Sequence, residues 1–126
     1  MDDMKNYLLI ALWIAQIIIA IIFLQSLFFK FTGAPEAIYI FSQIGIEPWG
    51  RYAIGIAELI VAILLLVPAT SKYGAIGALL IVLPAIFFHL TVLGVSVMSD
   101  KGLLFGLAIT VAILSVFVIW ARFKRL

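Results

Sequence analysis

One stretch decides the class of fold: Tyr52-Ala-Ile-Gly-Ile-Ala-Glu-Leu-Ile-Val-Ala-Ile-Leu-Leu-Leu-Val67. It is almost entirely apolar, yet it carries one carboxyl group, that of Glu58. A second apolar stretch, from Ala78 to Leu93, carries the single histidine of the chain, His89. An ionisable group within a membrane span costs about 2.5–3.5 kcal/mol on insertion scales, so such groups usually face a bundle interior and have a partner or a function. We therefore expect Glu58 and His89 to face the interior of a helix bundle.

The composition of the whole chain is that of an integral membrane protein. Of its 126 residues, 67% are hydrophobic and 11% are charged, and the mean hydropathy is +1.34. Soluble domains are closer to about half apolar and about a quarter charged. One domain covering residues 1–126 accounts for a chain of this length.

The cysteine count and the net charge exclude several functions. The absence of cysteine excludes thiolate nucleophiles and cysteine-ligated metal or haem sites. The formal net charge of +2 is too small and too scattered for nucleic-acid binding. With a single histidine, a metal site would need Glu58 and water to complete it, so we expect no bound metal.

Four apolar segments are long enough to cross a bilayer, which takes about 20 residues. They cover about residues 7–29, 50–67, 73–97 and 103–121. The first follows Asp2 and Asp3, whose charge is opposite to that at the start of a secretory signal peptide, so we interpret it as a spanning helix. Tight turns from Pro68 to Tyr73 and from Ser99 to Gly102 predict that helices two and three, and helices three and four, are antiparallel neighbours.

The longer first connection, from Lys30 to Trp49, is predicted to contain a short helix. Pro35 suits the first turn of a helix and Gly45 suits its end. Asp100 is predicted to cap the start of the last spanning helix. The sequence therefore predicts an all-α, membrane-embedded four-helix bundle with a short additional helix between helices one and two.

The distribution of lysine and arginine predicts the orientation in the membrane. Five basic residues lie on the side of the two termini and three on the other side: Lys5, Lys72, Arg122, Lys124 and Arg125, against Lys30, Arg51 and Lys101. This bias predicts that both termini are cytoplasmic, in a cell inner membrane. The basic C-terminal tail would act as a cytoplasmic anchor.

Four polar side chains, one from each spanning helix, are predicted to lie in one layer of the outer half: Gln25, Glu58, His89 and Thr110. At about 1.5 Å per residue, each lies roughly 8–12 Å below the outer end of its helix. On a shared interior face they would form the polar floor of a cavity that opens outward. Lys30 and Arg51 would stand at its rim, as counterions to Glu58 or as an attraction for an anionic headgroup. The predicted ligand-binding residues are therefore Glu58, His89, Lys30, Arg51 and Gln25.

Each of these residues also has a structural interpretation. Glu58 could form a purely structural ion pair with Lys30, Arg51 or His89, and His89 could be a hydrogen-bonded interior histidine. Lys30 and Arg51 could be interfacial anchors that extend toward water. Gln16 and Gln25 could simply form hydrogen bonds between helices.

Four short motifs follow one another along the chain: Phe28-Phe-Lys-Phe-Thr-Gly33, Gly55-Ile-Ala-Glu-Leu59, Phe87-Phe-His-Leu-Thr-Val-Leu-Gly94 and Ser99-Asp-Lys-Gly-Leu-Leu-Phe-Gly106. In this order and spacing, from about Leu24 to Leu107, the chain resembles the DoxX-like family of small membrane proteins. The resemblance implies a four-helix membrane bundle with Lys30, Glu58 and His89 as signature polar residues. Some relatives are named for a subunit of a thiosulfate:quinone oxidoreductase, others are linked to oxidative-stress complexes, and distant animal relatives act as receptor-assembly chaperones. Lys101 stands where the family is expected to have glycine.

Three functions remain open, and no catalytic residue is assigned. The first is binding of a lipophilic small molecule such as a quinone, whose carbonyls need a donor and a proton source. Any oxidoreductase activity would then depend on a partner redox protein, because the chain has no cysteine and no evident haem-ligand pair. The second is an assembly factor, or a structural subunit, without chemistry. The third is a small proton-coupled transporter, which as one unduplicated unit would have to work as a homodimer.

Overall fold

The computed structural model describes residues 2–124, so Arg125 and Leu126 of the basic tail lie outside the described residues. Within that range every regular element is helical, which confirms the all-α prediction. The elements are α1 (Asp2–Thr32), α2 (Pro35–Ile44), α3 (Trp49–Leu66), α4 (Ser71–Phe88), a π-helical turn (His89–Leu93) and α5 (Leu103–Phe123). We call His89–Leu93 the π turn.

Four of these helical segments are long and apolar enough to cross a membrane: α1, α3, α4 with its π turn, and α5. This confirms the predicted number of spans. Pro84 lies within α4 and does not end it.

The third span was predicted to continue to Val97, and this boundary is wrong. The helical backbone ends at Leu93, because Gly94 follows with a positive φ of 81°. Met98 and Ser99 also have positive φ values, of 50° and 63°. Apolar composition continues past Gly94, but the helical backbone does not.

The short helix α2 forms where the first connection predicts it. Pro35 is its first residue, where a missing N–H is tolerated. Gly45 ends it with a left-handed φ of 92°, and its N–H donates to the carbonyls of Phe41 and Ser42. Ala37 and Phe41 form the buried face of α2.

The four long helices form a ring in which α1 packs on α3, α3 on α4, α4 on α5, and α5 on α1. The helices α3 and α4 approach closely after their tight turn, since a Cβ at Gly74 would lie 2.8 Å from the backbone nitrogen of Leu65. The start of α1 and the end of α5 lie at one end of this ring, and we call that end the terminal half. It contains most of the apolar core, including Leu12, Ile19, Leu65, Ala75 and Val118.

At the other end, which we call the cavity half, α2 lies against α1, α3 and the π turn. This placement puts the short helix across the end of the bundle. The candidate site lies directly beneath it.

Candidate functional site

Glu58 and Lys30 form an ion pair within the bundle. Oε1 of Glu58 lies 3.0 Å from Nζ of Lys30, and the two side chains are 4% and 14% exposed. The contact has ion-pair distance without hydrogen-bond geometry, so Oε1 has no hydrogen-bond partner among the described residues. Lys30 also donates to the hydroxyl of Ser26, one helical turn earlier. The pair joins α1 to α3, as one interpretation of Glu58 predicted.

His89 is buried and begins the π turn. Its Nδ1 lies 2.9 Å from the carbonyl oxygen of Gly94. Because a carbonyl can only accept, Nδ1 carries the proton, and Nε2 of the neutral ring is an acceptor. The imidazole also packs edge-on against Phe105 of α5, with ring centroids 5.5 Å apart. A π turn is a common feature of functional sites, and here it fixes the orientation of a histidine.

A cavity of about 540 Å³ lies between the four long helices and α2. That volume is within the range of small-molecule sites, about 300–1,000 Å³. Most of its wall is apolar, and seven polar or charged residues contribute to it: Gln25, Ser26, Lys30, Glu36, Glu58, His89 and Asp100. The structure therefore brings four of the five predicted ligand-binding residues to one cavity.

Arg51 is the exception. Its guanidinium forms an ion pair with Glu47 at 2.8 Å and hydrogen bonds to both carboxylate oxygens of that residue. It also donates to the backbone carbonyl of Lys30 and lies 4.5 Å from the ring centroid of Tyr52. Arg51 thus ties the start of α3 to the end of α1, and it stands outside the cavity wall.

The predicted polar layer is only partly formed. Gln25 reaches the cavity wall, although its side chain is largely exposed. Thr110 was expected to share the interior face of this layer, and that facing is wrong, because Thr110 is exposed and its hydroxyl donates to the carbonyl of Gly106. Satisfying a hydroxyl within its own helix is common for threonine in a span. Ser26 and Glu36 were not predicted, although Ser26 lies one helical turn before Lys30.

The N-cap residue of α5 is Gly102, and Asp100, two residues before it, supplies the predicted capping carboxylate to the start of the helix. This carboxylate accepts from the N–H groups of Val97, Gly102 and Leu104 at 2.8–3.0 Å. Burial raises the pKa of Asp100, but the three N–H groups lower it by more, so the pKa lies below its ordinary value. This residue holds the loop after the π turn in place beside the cavity.

A second polar cluster lies in the terminal half. Nε2 of Gln16 donates to the carbonyl of Leu65 at 2.8 Å, and Nε of Arg122 donates to Oε1 of Gln16 at 2.9 Å. Gln16 was predicted to form a hydrogen bond between helices, and it does so twice. Arg122, expected only as a cytoplasmic anchor, reaches inward to α1.

The long apolar helices and the interior ion pair define the class of protein: a multi-pass integral membrane protein. The model of the DoxX-like family matches residues 14–118, and the chain belongs to that family. The match confirms the resemblance seen in the motifs and includes Lys30, Glu58 and His89. No curated protein and no solved structure matches the chain.

Proposed function

We propose that this protein binds a lipophilic small molecule, such as a quinone, in the cavity beside Glu58 and His89. One observation carries the proposal: the buried Lys30–Glu58 pair borders about 540 Å³ of space with a mostly apolar wall. A pair that served only to join two helices would be more stable with packed side chains around it, because a void loses dispersion contacts. An apolar cavity with a few convergent polar groups is the usual form of a small-molecule site.

The polar groups suit a ring that carries carbonyl or hydroxyl groups. Lys30 can donate to a carbonyl oxygen, and Oε1 of Glu58 can accept from a hydroxyl. Nε2 of His89 accepts when the ring is neutral and donates when it is protonated. These three groups match both the oxidised and the reduced form of a quinone, and they offer a route for its protons.

We further propose that the protein is the membrane subunit of an oxidoreductase system. Reduction of a quinone to a quinol takes two electrons and two protons. Glu58 and His89 would exchange the protons, and a partner redox protein would supply or accept the electrons. In a cell inner membrane, the lysine and arginine bias supports an orientation with both termini cytoplasmic, and the cavity would then lie in the outer half.

The test is mass spectrometry of small molecules that co-purify with the wild type, Glu58→Gln and Glu47→Gln. We expect a lipophilic compound with the wild type and with Glu47→Gln, and its loss from Glu58→Gln. The matched control makes the same change in the Arg51–Glu47 pair, which lies outside the cavity wall.

Equal retention by all three proteins would contradict a role for Glu58 in binding. If no protein carries a compound, and none takes up added quinone, the role of an assembly or structural subunit is favoured. Uptake driven by a pH gradient in vesicles, abolished by Glu58→Gln, would instead favour the transporter.

A further inference from the structure

We infer that the ligand is a neutral amphiphile from the bilayer, whose polar head lies at the Lys30–Glu58 pair and whose tail leaves the cavity between α1 and α5. This inference rests on the proposed function. It adds the charge class of the ligand and its route of entry.

The first step is the opening in the side of the bundle. A residue that lines a cavity and is also exposed marks an edge of an opening. On α1 these residues are Gln25 and Phe29, which is 44% exposed, and on the neighbouring helix α5 there is Leu103, which is 61% exposed. Pro84 of α4 and Glu36 of α2 also line the cavity and are exposed, but each stands alone on its helix, whereas α1 contributes two such residues. Gln25, Phe29 and Leu103 all lie in spanning helices, so the opening between α1 and α5 faces lipid.

The second step is that this opening is confined to the cavity half. In the terminal half, α5 is joined to α1 by the hydrogen bond from Arg122 to Gln16. Buried residues of both helices pack there into the core, among them Leu12, Ile19 and Val118. The two helices are therefore in contact at one end and separated by the cavity at the other.

The third step is that α2 covers the end of the cavity that lies opposite the terminal half. Ala34, Ala37, Ile40, Phe41 and Ile44, from α2 and its N-cap, line the cavity with apolar groups. Nζ of Lys30 lies 6.0 Å from the ring centroid of Phe41, so this apolar surface lies close above the ion pair. A hydrophobic molecule reaches the ion pair more directly from the side of the bundle than through α2.

The fourth step is the charge of the wall. Three carboxyl groups, of Glu36, Glu58 and Asp100, face the cavity together with one lysine, Lys30. Lys30 already neutralises Glu58, so an anionic head would have to separate this pair and lie near two more carboxylates. A neutral head can form hydrogen bonds with both members of the pair while it stays intact. The wall therefore selects against the anionic headgroup that Lys30 and Arg51 were predicted to attract.

The test measures association of tritiated decylubiquinone with the protein in nanodiscs. Gln25→Trp places a bulky side chain at the opening, and Ile17→Trp places one on an exposed part of α1 away from the cavity wall. We expect association about tenfold slower for Gln25→Trp and unchanged for Ile17→Trp, because access to the site limits the rate. We also expect that palmitate, an anionic amphiphile, fails to compete.

Equal association rates for Gln25→Trp and the wild type would overturn entry of the ligand between α1 and α5. Competition by palmitate would overturn the inference that the ligand is neutral. If the wild type binds no decylubiquinone at all, the proposed function fails together with the inference. A spin label at Gln25→Cys, in a chain that has no other cysteine, gives a second measurement. Lateral entry requires this label to contact lipid-dissolved oxygen and to lose mobility when decylubiquinone binds; a label that contacts only water-soluble nickel reagents would contradict it.

Discussion

The two halves of the bundle use buried polar groups in different ways. In the terminal half, Gln16 links Leu65 of α3 to Arg122 of α5 through two direct hydrogen bonds within a packed core. In the cavity half, the Lys30–Glu58 pair links α1 to α3 but borders empty space. A polar residue within a membrane helix is therefore not enough to mark a binding site. Under the proposed function, the space beside the polar residue distinguishes a binding site from a structural link.

The largest effect should come from breaking the ion pair on one side. Glu58→Leu leaves the ammonium of Lys30 without its carboxylate, and we expect a loss of about 3 kcal/mol in the free energy of unfolding. The double variant Lys30→Met/Glu58→Leu should recover most of that loss, because no buried charge remains. Unfolding by steric trapping in bicelles measures both values.

Ligand retention by the double variant sharpens the comparison between the halves. If the Lys30–Glu58 pair functions in ligand binding, the double variant should be stable and should carry no ligand. Retention of the ligand by that variant would assign the pair a purely structural role, like that of Gln16.

A smaller effect is expected from the terminal half. Gln16→Leu removes the acceptor of Arg122 and the donor to Leu65, and we expect a loss of about 2 kcal/mol in the free energy of unfolding. Gln25→Leu is the matched control on the same helix, and because Gln25 is largely exposed it should change stability by less than about 0.5 kcal/mol. Comparable losses for the two variants would show that the halves do not differ in this way.

The smallest effect concerns the cap of α5 and depends on pH. Since the pKa of Asp100 is lower in the folded state, its contribution to stability is present above the unfolded pKa and is lost as the pH falls below about 4. Asp100→Asn keeps one acceptor oxygen, so it should cost less than about 1 kcal/mol at neutral pH, and it should make stability less sensitive to acid. Thermal unfolding across a pH series measures this, with Asp3→Asn, an exposed carboxyl on α1, as the control. An unchanged acid response in Asp100→Asn would contradict the assignment of the shift to this carboxyl.

Residue counting along the helices predicted the site well where only depth mattered. Gln25, Lys30, Glu58 and His89 do meet at one cavity, because the rise per residue is nearly constant in every α-helix. The side of the helix on which a residue lies was harder to predict. The helix α5 is apolar on nearly all sides, so its sequence carries little periodic signal to show that Thr110 faces outward.

Pairings between distant parts of the chain could not be predicted from the sequence. Gln16 was predicted to form a hydrogen bond between helices and Arg122 to anchor the tail. Nothing in the sequence shows that these residues, 106 positions apart, are hydrogen bonded to each other. Two carboxylates could pair with the guanidinium of Arg51: that of Glu58 and that of Glu47, four residues before Arg51. The structure shows the pair with Glu47. The end of the third span was missed because hydropathy continues past Gly94 while its backbone turns.

The π turn also bears on the ancestry of the chain. Such a turn holds one residue more than the α-helical turn it replaces, so it is the trace that a single-residue insertion leaves in a helix. Because the helix ends with this turn, losing one residue from it would rotate Leu93 and the Gly94 carbonyl that follows by about 100° about the helix axis relative to α4, at 3.6 residues per turn. A one-residue gap at His89–Leu93 in a family alignment would therefore mark a change in which side chain enters the cavity, rather than neutral variation in length.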